Sequence, residues 1–446
     1  MGGIVRFALP LVLGYVLQQM YLLVNAVIAG RWLGVGALAA VGASTSVMFL
    51  VMGFCNGCCA GLSIPIARAF GASRSCGGVS RAVALRRMRQ YVSGAVRVAV
   101  LSSVVLTLVA CVLCSRILVW LNTPSDIFSD ARIFLLLQFL TIPLTMGYNL
   151  LAGFMRAVGN SRQPFYYLIA ASLLNVVLDL LLIVVLGMGV AGAGVATWLS
   201  QAFAAFMCAW FIRRRMRFLV PRGDERRVRR GRLLVLLNNG VPMGLQFSIT
   251  GIGIIMLQGA NNALGTEYVA SFTAAMRVKY LFTCVFENVG VAMATYCGQN
   301  VGARNMGRVS RGVWSALCLL ALYTAVVFAV VELGADAMMR VFVDAGEEAI
   351  VSHAALLMRL ACYFYPCLAV LTLMRYSIQG MGYSDLSMLS GVAEMLARVG
   401  VSVWLVPSLA WLGVCLGDPV AWMAADCFLV PCYLLLFRRL RRRFAA

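Results

Sequence analysis

The chain has 446 residues, 62% of them apolar and 12% charged, with a formal net charge of +21. Its mean hydropathy of +0.91 excludes a soluble globular domain and identifies a polytopic membrane protein. The positive charge is almost all arginine, with Lys279 the single lysine. These arginines fall between apolar stretches, so membrane topology accounts for them better than nucleic-acid binding does.

A helix needs about 20 apolar residues to cross a bilayer. Twelve such spans are predicted, beginning near residues 5, 36, 91, 132, 163, 190, 233, 267, 311, 349, 385 and 413. The first, Phe7–Gly30, has no small-residue cleavage site after a short apolar core, so it reads as a span and not a signal peptide. It carries Pro10, which bends a helix in mid-span but is harmless in a first turn. Tyr21 and Asn25 lie four residues apart on the same span and can share a polar face. A Gly34-Val35-Gly36 turn is predicted before span 2. Cys55, Cys58 and Cys59 in span 2 have no second Cys/His cluster to join them and read as small packing residues. The 15 cysteines define no disulfide framework.

Loops rich and poor in arginine alternate along the chain. Arg68, Arg74, Arg81, Arg86, Arg87 and Arg89 follow span 2, whereas the loop around residues 122–126 is mixed. Arg156 and Arg162 flank the turn before span 5, and ten arginines fill residues 213–232. Glu267 sits in the turn before span 8, and the loop before span 10 is acidic, with Asp336, Asp344, Glu347 and Glu348. Asp418 is assigned to the last loop, and the tail carries Arg438, Arg439 and Arg441–Arg443. The positive-inside rule then puts both termini and the 213–232 segment in the cytoplasm. That segment could also bind anionic lipid or nucleic acid, but the rule predicts such loops without a ligand.

The two halves repeat. Pro10-Leu11 is matched by Pro242-Met243, about 232 residues further on, and Pro65–Ala72 by Tyr296–Ala303. Gly159-Asn160-Ser161 before span 5 is matched by Gly382-Tyr383-Ser384 before span 11. Six spans return the chain to its starting side, so the repeats are parallel, and a substrate cavity is expected between the halves. The predicted organisation is a six-helix lobe at 1–212, a basic linker at 213–232, a second six-helix lobe at 233–437 and a basic tail at 438–446.

Span 5, Pro164–Leu186, carries Asn175 and Asp179 on one face. A carboxylate at membrane depth costs about 2.5–3.5 kcal/mol on insertion scales and marks a functional site by default. Thr197 on span 6 can bring a hydroxyl to the same place. The bland alternative is a polar clasp between helices. In the second half, Glu394 and Arg398 form an i,i+4 pair, which reads equally as a neutralised structural pair. Glu287 is a further lone carboxylate, with Arg277 or Lys279 as candidate partners. These three residues, Glu287, Glu394 and Arg398, are a candidate second polar site. His353, the only histidine, reads as solvated or satisfied. Few arginines are expected at mid-span. No Walker lysine, phosphate loop or catalytic triad is present, so an enzyme is not expected.

The stretches ALPLVLGYVLQQMYLLVNAVIAGRWLGVGALAAVG, IPIARAFGA, RAVGNSRQPFYYLIAASLLNVVLDLLLIVVLGMGVAGAGVATWLSQ, CGQNVGA and QGMGYSDLSMLSGVAEMLARVG together resemble the multidrug and toxic compound extrusion (MATE) family, and its DinF-like branch in particular. The resemblance spans essentially the whole chain. It implies an all-α membrane protein of twelve transmembrane helices in two pseudo-symmetric six-helix lobes. It also implies antiport of drug-like, often cationic or amphipathic, solutes against H+ or Na+. The family's cation site on helices 1, 5 and 6 carries over to Asn25, Asn175, Asp179 and Thr197, with Pro10 at the family's bending proline; Tyr21 is grouped with Pro10 as a candidate helix-bending or gating residue. Sodium, if it is the ion, would sit at Asp179, Asn175 and Thr197; no other metal and no cofactor is expected. Asn25 stands where the family has an aspartate, which leaves Asp179 as the one carboxylate of the cluster. The chain is expected in the plasma (inner) membrane of a bacterium, as a monomer, with a small organic substrate and the lipid bilayer as partners and no nucleic acid. Three rivals stay open: a lipid-linked saccharide flippase of the same superfamily, a non-transporting scaffold, and a major-facilitator transporter, whose motifs fit less well.

Overall fold

The computed structural model describes residues 2–120, 123, 128–342 and 346–445, without the side chains of 22–23, 26–27, 29–31, 33–46 and 445. Apart from Thr123, the predicted mixed-charge loop at 122–126 lies outside the described residues, as does Asp344. Among the described residues there is no strand. Fourteen helices follow one another: α1 Gly2–Ser75, α2 Gly78–Trp120, α3 Phe128–Leu140, α4 Ile142–Ala157, α5 Arg162–Asp179, α6 Gly189–Arg215, α7 Arg230–Asn262, α8 Thr266–Gly302, α9 Met306–Met339, α10 Glu348–Tyr363, α11 Tyr365–Gly380, α12 Ser384–Gly400, α13 Val406–Leu409 and α14 Trp411–Ala445.

These helices account for the predicted spans. The run α1 carries two apolar stretches, Gly2–Tyr21 and Val47–Ser75, and α3 with α4 makes one, Phe128–Ala157. Taken as one bent span, α10 and α11 bring the total to twelve. Proline places both breaks. Pro143 and Pro366 sit in the first turns of α4 and α11, where a missing N–H is tolerated but the helix cannot continue through from before. The α10–α11 pair is bent by 54°. Pro10, by contrast, lies well inside α1 and not in its first turn. The predicted turn at Gly34–Gly36 is not a break: the backbone is helical there. Glycine permits a turn without requiring one, and costs a helix only about 1 kcal/mol.

The chain forms two compact units, Leu9–Gly244 and Met1–Ala8 with Leu245–Ala446. They change over within α1 close to Pro10 and within α7 close to Pro242. Residues 213–232 are the end of α6, two short 3-10 turns (Arg217–Leu219 and Gly223–Arg226) and the start of α7. The basic tail continues α14 as far as Ala445.

Local geometry repeats between the halves as the motifs do. Gly159 and Gly382 both take left-handed φ values, 94° and 86°. At each, the helix ends with the same pair of bonds: Asn160 N to Met155 O and Gly159 N to Arg156 O in one half, Tyr383 N to Ile378 O and Gly382 N to Gln379 O in the other. Both following helices then widen into a π turn, Leu180–Val185 after α5 and Val401–Leu405 after α12. Such turns insert a residue and re-aim the side chains beside them, often at functional sites. Inside each unit, small residues let backbones close up. A Cβ on Gly61 would stand 2.3 Å from the Asn239 carbonyl oxygen, and one on Gly380 2.4 Å from that of Ala294.

Candidate functional site

In the N-terminal unit, α1, α5 and α6 converge on one polar cluster. Asn175 and Asp179 lie on one face of α5, Asp179 as its last residue before the π turn. Their exposures are 1% and 2%, so neither is solvated from the surface. The Asn25 amide donates to Asn175 Oδ1 at 3.0 Å, and the Asn175 amide donates to Ser200 Oγ at 2.9 Å. Ser200 in turn donates to the Ala196 carbonyl, and Thr197 to that of Ala193 at 3.0 Å. The Tyr21 hydroxyl is hydrogen-bonded with Thr197 and Asn25 and lies within electrostatic reach of Asp179. Two buried oxygens are left without a donor, Asp179 Oδ1 and Asn25 Oδ1. A buried acceptor with no donor is expensive, and a bare buried carboxylate more so. Oxygen acceptors without protons are what a bound proton or a hard cation would satisfy. Among the described residues no three Cys, His, Asp or Glu side chains stand close enough to hold a transition metal.

The C-terminal unit buries a longer chain of charges. Arg375 on α11 pairs with Glu394 on α12, and Glu394 also meets Arg398 at 3.5 Å. Arg398 bonds Asp418 on α14 at 2.9 Å, and Asp418 pairs with Lys279 on α8. The predicted Glu394–Arg398 pair is therefore present, as one of four links joining five groups. Two expectations are corrected. Asp418 is not in a loop: α14 begins at Trp411 and carries it inward. Glu287 pairs with neither Arg277 nor Lys279 but accepts from the Tyr376 hydroxyl at 2.7 Å. Lys279 is two helical turns away on the same helix and turned to Asp418, and Arg277 is exposed. Arg375 and Arg398 are 5% and 3% exposed, each neutralised by a carboxylate. A separate amide cluster links Gln379, Gln246 and Ser387. His353 meets Glu267 at 3.0 Å and packs against Tyr268 with the two rings tilted by 44°.

The basic 213–232 segment is fastened to its own unit. Arg89 on α2 holds Glu225 through two bonds of 2.6 Å, and Glu225 also accepts from the Arg222 backbone. The Arg89 guanidinium holds the Glu225 carboxyl below the usual glutamate range.

The MatE family model matches this chain twice, at residues 10–181 and 242–404. The chain belongs to the MATE family. The two matches fall on the two halves, and the first covers α5 with Asn175 and Asp179. A probable multidrug resistance protein of Bacillus subtilis, YoeA, is 26% identical over 369 residues, 80% of this chain and 76% of the relative. The DNA damage-inducible protein F of Escherichia coli is 27% identical over 210 residues, 46% of this chain and 45% of the relative. Proteins named NorM are relatives too. A crystal structure of a MATE protein in its bent conformation superposes with a TM-score of 0.90 at 21% identity, covering 100% of this chain and 97% of that one. At that identity the likeness establishes the fold: the two pseudo-symmetric six-helix bundles expected from sequence.

For this MATE chain the four positions carried over to the N-terminal cluster, Asn25, Asn175, Asp179 and Thr197, stand together with Tyr21. Sequence reading missed Ser200, although it lies three residues beyond Thr197 on the same helical face. It also missed Arg375 and Tyr376, and it placed Asp418 in a loop. Charge inside an apolar run was the available signal for Arg375 and Asp418, and the uncharged Tyr376 gave none.

Proposed function

We propose that this MATE chain is a secondary exporter of small organic solutes, coupled to entry of a proton or sodium ion at Asp179. The observation that carries this reading is the buried Asp179 Oδ1, which has no donor, beside the equally unpartnered Asn25 Oδ1. The chain is multi-pass, its bacterial relatives support a place in a bacterial plasma membrane, and the arginine-rich segments at 213–232 and 438–443 support cytoplasmic termini.

Two of the five side chains hold the others in place. Asn175 spends both of its groups, accepting from Asn25 and donating to Ser200, and so fixes α1, α5 and α6 to one another. Tyr21 ties α1 to Thr197 on α6. Asp179 is the group left to exchange. With a cation or proton bound, its charge is neutralised and burial is favourable; without one, the bare carboxylate favours an arrangement that admits water. Because Asn25 supplies no second carboxylate, one charge crosses per cycle at this cluster. Solute and cation compete through their different affinities for the two arrangements, which is sufficient for exchange.

The test is dye efflux from everted vesicles under an imposed pH gradient or sodium gradient, with wild type and Asp179→Asn. Efflux driven by one gradient and lost in Asp179→Asn is the expected result and identifies the ion. Full gradient-driven efflux in Asp179→Asn would overturn the assignment.

A further inference from the structure

The hydrogen bonds of the N-terminal cluster run in one direction, and Ser200 sets it. Ser200 has one proton and gives it to the Ala196 carbonyl, one turn back on α6, the usual bond of a serine inside a helix. Its oxygen is left to accept, and it does so from the Asn175 amide at 2.9 Å. With its nitrogen turned to α6, Asn175 presents its oxygen to α1, where the Asn25 amide donates to it at 3.0 Å. Asn25 is thereby left with Oδ1 as the free end of the relay. That oxygen is buried without a donor, even with the Tyr21 hydroxyl bonded to the same side chain. Asn175 and Ser200 are 1% and 4% exposed, so neither can exchange its bonds for bonds to bulk water.

A carboxamide can face either way, and the two directions of this relay have opposite chemistry. Asn25 is held against Asn175, one helical turn before Asp179 on the same face of α5. As observed, the relay ends there in an acceptor oxygen, next to a carboxylate whose Oδ1 also has no donor. Such a pair of oxygens suits a proton or a hard cation. Reversed, the relay would end in the N–H groups of Asn25. Those would donate to the bare Asp179 carboxylate and take the place of the cation. Reversal requires Ser200 to give up its bond to Ala196, or else sets two acceptors face to face, and either way a buried hydrogen bond is lost. Without the hydroxyl that penalty disappears, and the observed direction strands an Asn175 N–H instead.

We propose that, given cation binding at Asp179, Ser200 is its positioning residue: through Asn175 it turns the Asn25 oxygen, and not the Asn25 nitrogen, to the cation.

The test melts purified full-length protein in mixed micelles while sodium chloride is titrated at fixed alkaline pH, and again while pH is varied with choline in place of sodium. The part of the response that Asp179→Asn abolishes reports the site. Its midpoint should move in Ser200→Ala by about tenfold in sodium, or about one pH unit toward acid, because the Asn25 amide then serves the bare carboxylate. Ser200→Thr keeps the hydroxyl and its bond to the preceding turn, and should stay within about twofold of wild type. Ser103→Ala removes another buried serine hydroxyl of the same unit, bonded only to the Val100 carbonyl, and should leave the midpoint in place. In an Asn25→Leu background, Ser200→Ala should add no further shift, since the relay then has no end to reverse. A Ser200→Ala midpoint within about twofold of wild type would overturn the proposal. So would equal shifts in the alanine and threonine variants, which would make position 200 a packing site, or a further shift on top of Asn25→Leu. A response left intact in Asp179→Asn would instead remove the cation site itself, and both assignments with it.

Discussion

Glu394→Gln tests the buried charge chain of the C-terminal unit most sharply, because its two cations are not held alike. Arg398 keeps Asp418, through bonds of 3.0 and 2.9 Å, when Glu394 is neutralised. Arg375 keeps only Ser390 Oγ at 3.3 Å and the more distant pull of Glu287 and Asp426. Orphaning one ion of a buried pair costs about 3–5 kcal/mol. The glutamine oxygen still accepts a bond, so the loss should fall near the lower end, about 3 kcal/mol. Equilibrium unfolding in mixed micelles, followed by tryptophan fluorescence, reads this directly: Trp422 is buried in the same unit, its ring 5.9 Å from Lys279 Nζ. Arg375→Gln/Glu394→Gln removes the orphan and should return to within about 1 kcal/mol of wild type, since replacing both ions is often close to neutral. Arg398→Gln/Glu394→Gln should not recover, because Arg375 is still stranded and Asp418 loses one of its two cations. A single variant within about 1 kcal/mol of wild type, or equal rescue by both doubles, would refute this accounting.

Other parts of the structure give equally definite expectations. Gly61→Ala drives a methyl group against backbone, 2.3 Å from Asn239 O, and should destabilise the N-terminal unit by more than about 3 kcal/mol, whereas Gly231→Ala, with open space around it, should be nearly neutral by the same unfolding measurement. Asn25→Asp exchanges the donor that Asn175 Oδ1 now uses for a second acceptor, so its melting temperature should fall as pH or sodium is varied to leave both carboxylates bare, and recover in acid or high sodium; a melting temperature indifferent to both would count against cation binding at this cluster. Glu225 has a lowered folded-state value, so its contribution is fully present above the ordinary 4.5 and is lost as pH falls through the lowered value. Amide hydrogen exchange over residues 217–229, corrected for the intrinsic rate, should therefore be steady from neutral pH to about 5 and rise in stronger acid, and Glu225→Gln should exchange faster at neutral pH and lose that dependence.

Spans, their number and their two-fold repetition follow from hydropathy and from matched motifs, because continuous apolar runs of about 20 residues cross lipid as helices of a set length. Asn175 with Asp179, and Glu394 with Arg398, were legible for a related reason: polar residues four apart inside an apolar run must share a face, whatever surrounds them. Proline placed the breaks at Thr141 and Phe364, while the glycines at 34 and 36 were over-read, since they allow a turn but do not compel one. Pairing across helices was not legible. Nothing in one helix tells that Lys279 turns to Asp418, or that Tyr376 and not a cation meets Glu287, because each choice is made by the rotation of separately encoded helices. Sequence alone determined the solvent this protein lives in, its helical repeat and which residues are out of place there; only tertiary structure decided which of those residues neutralise one another and which, like Asp179, are left with an atom unpartnered.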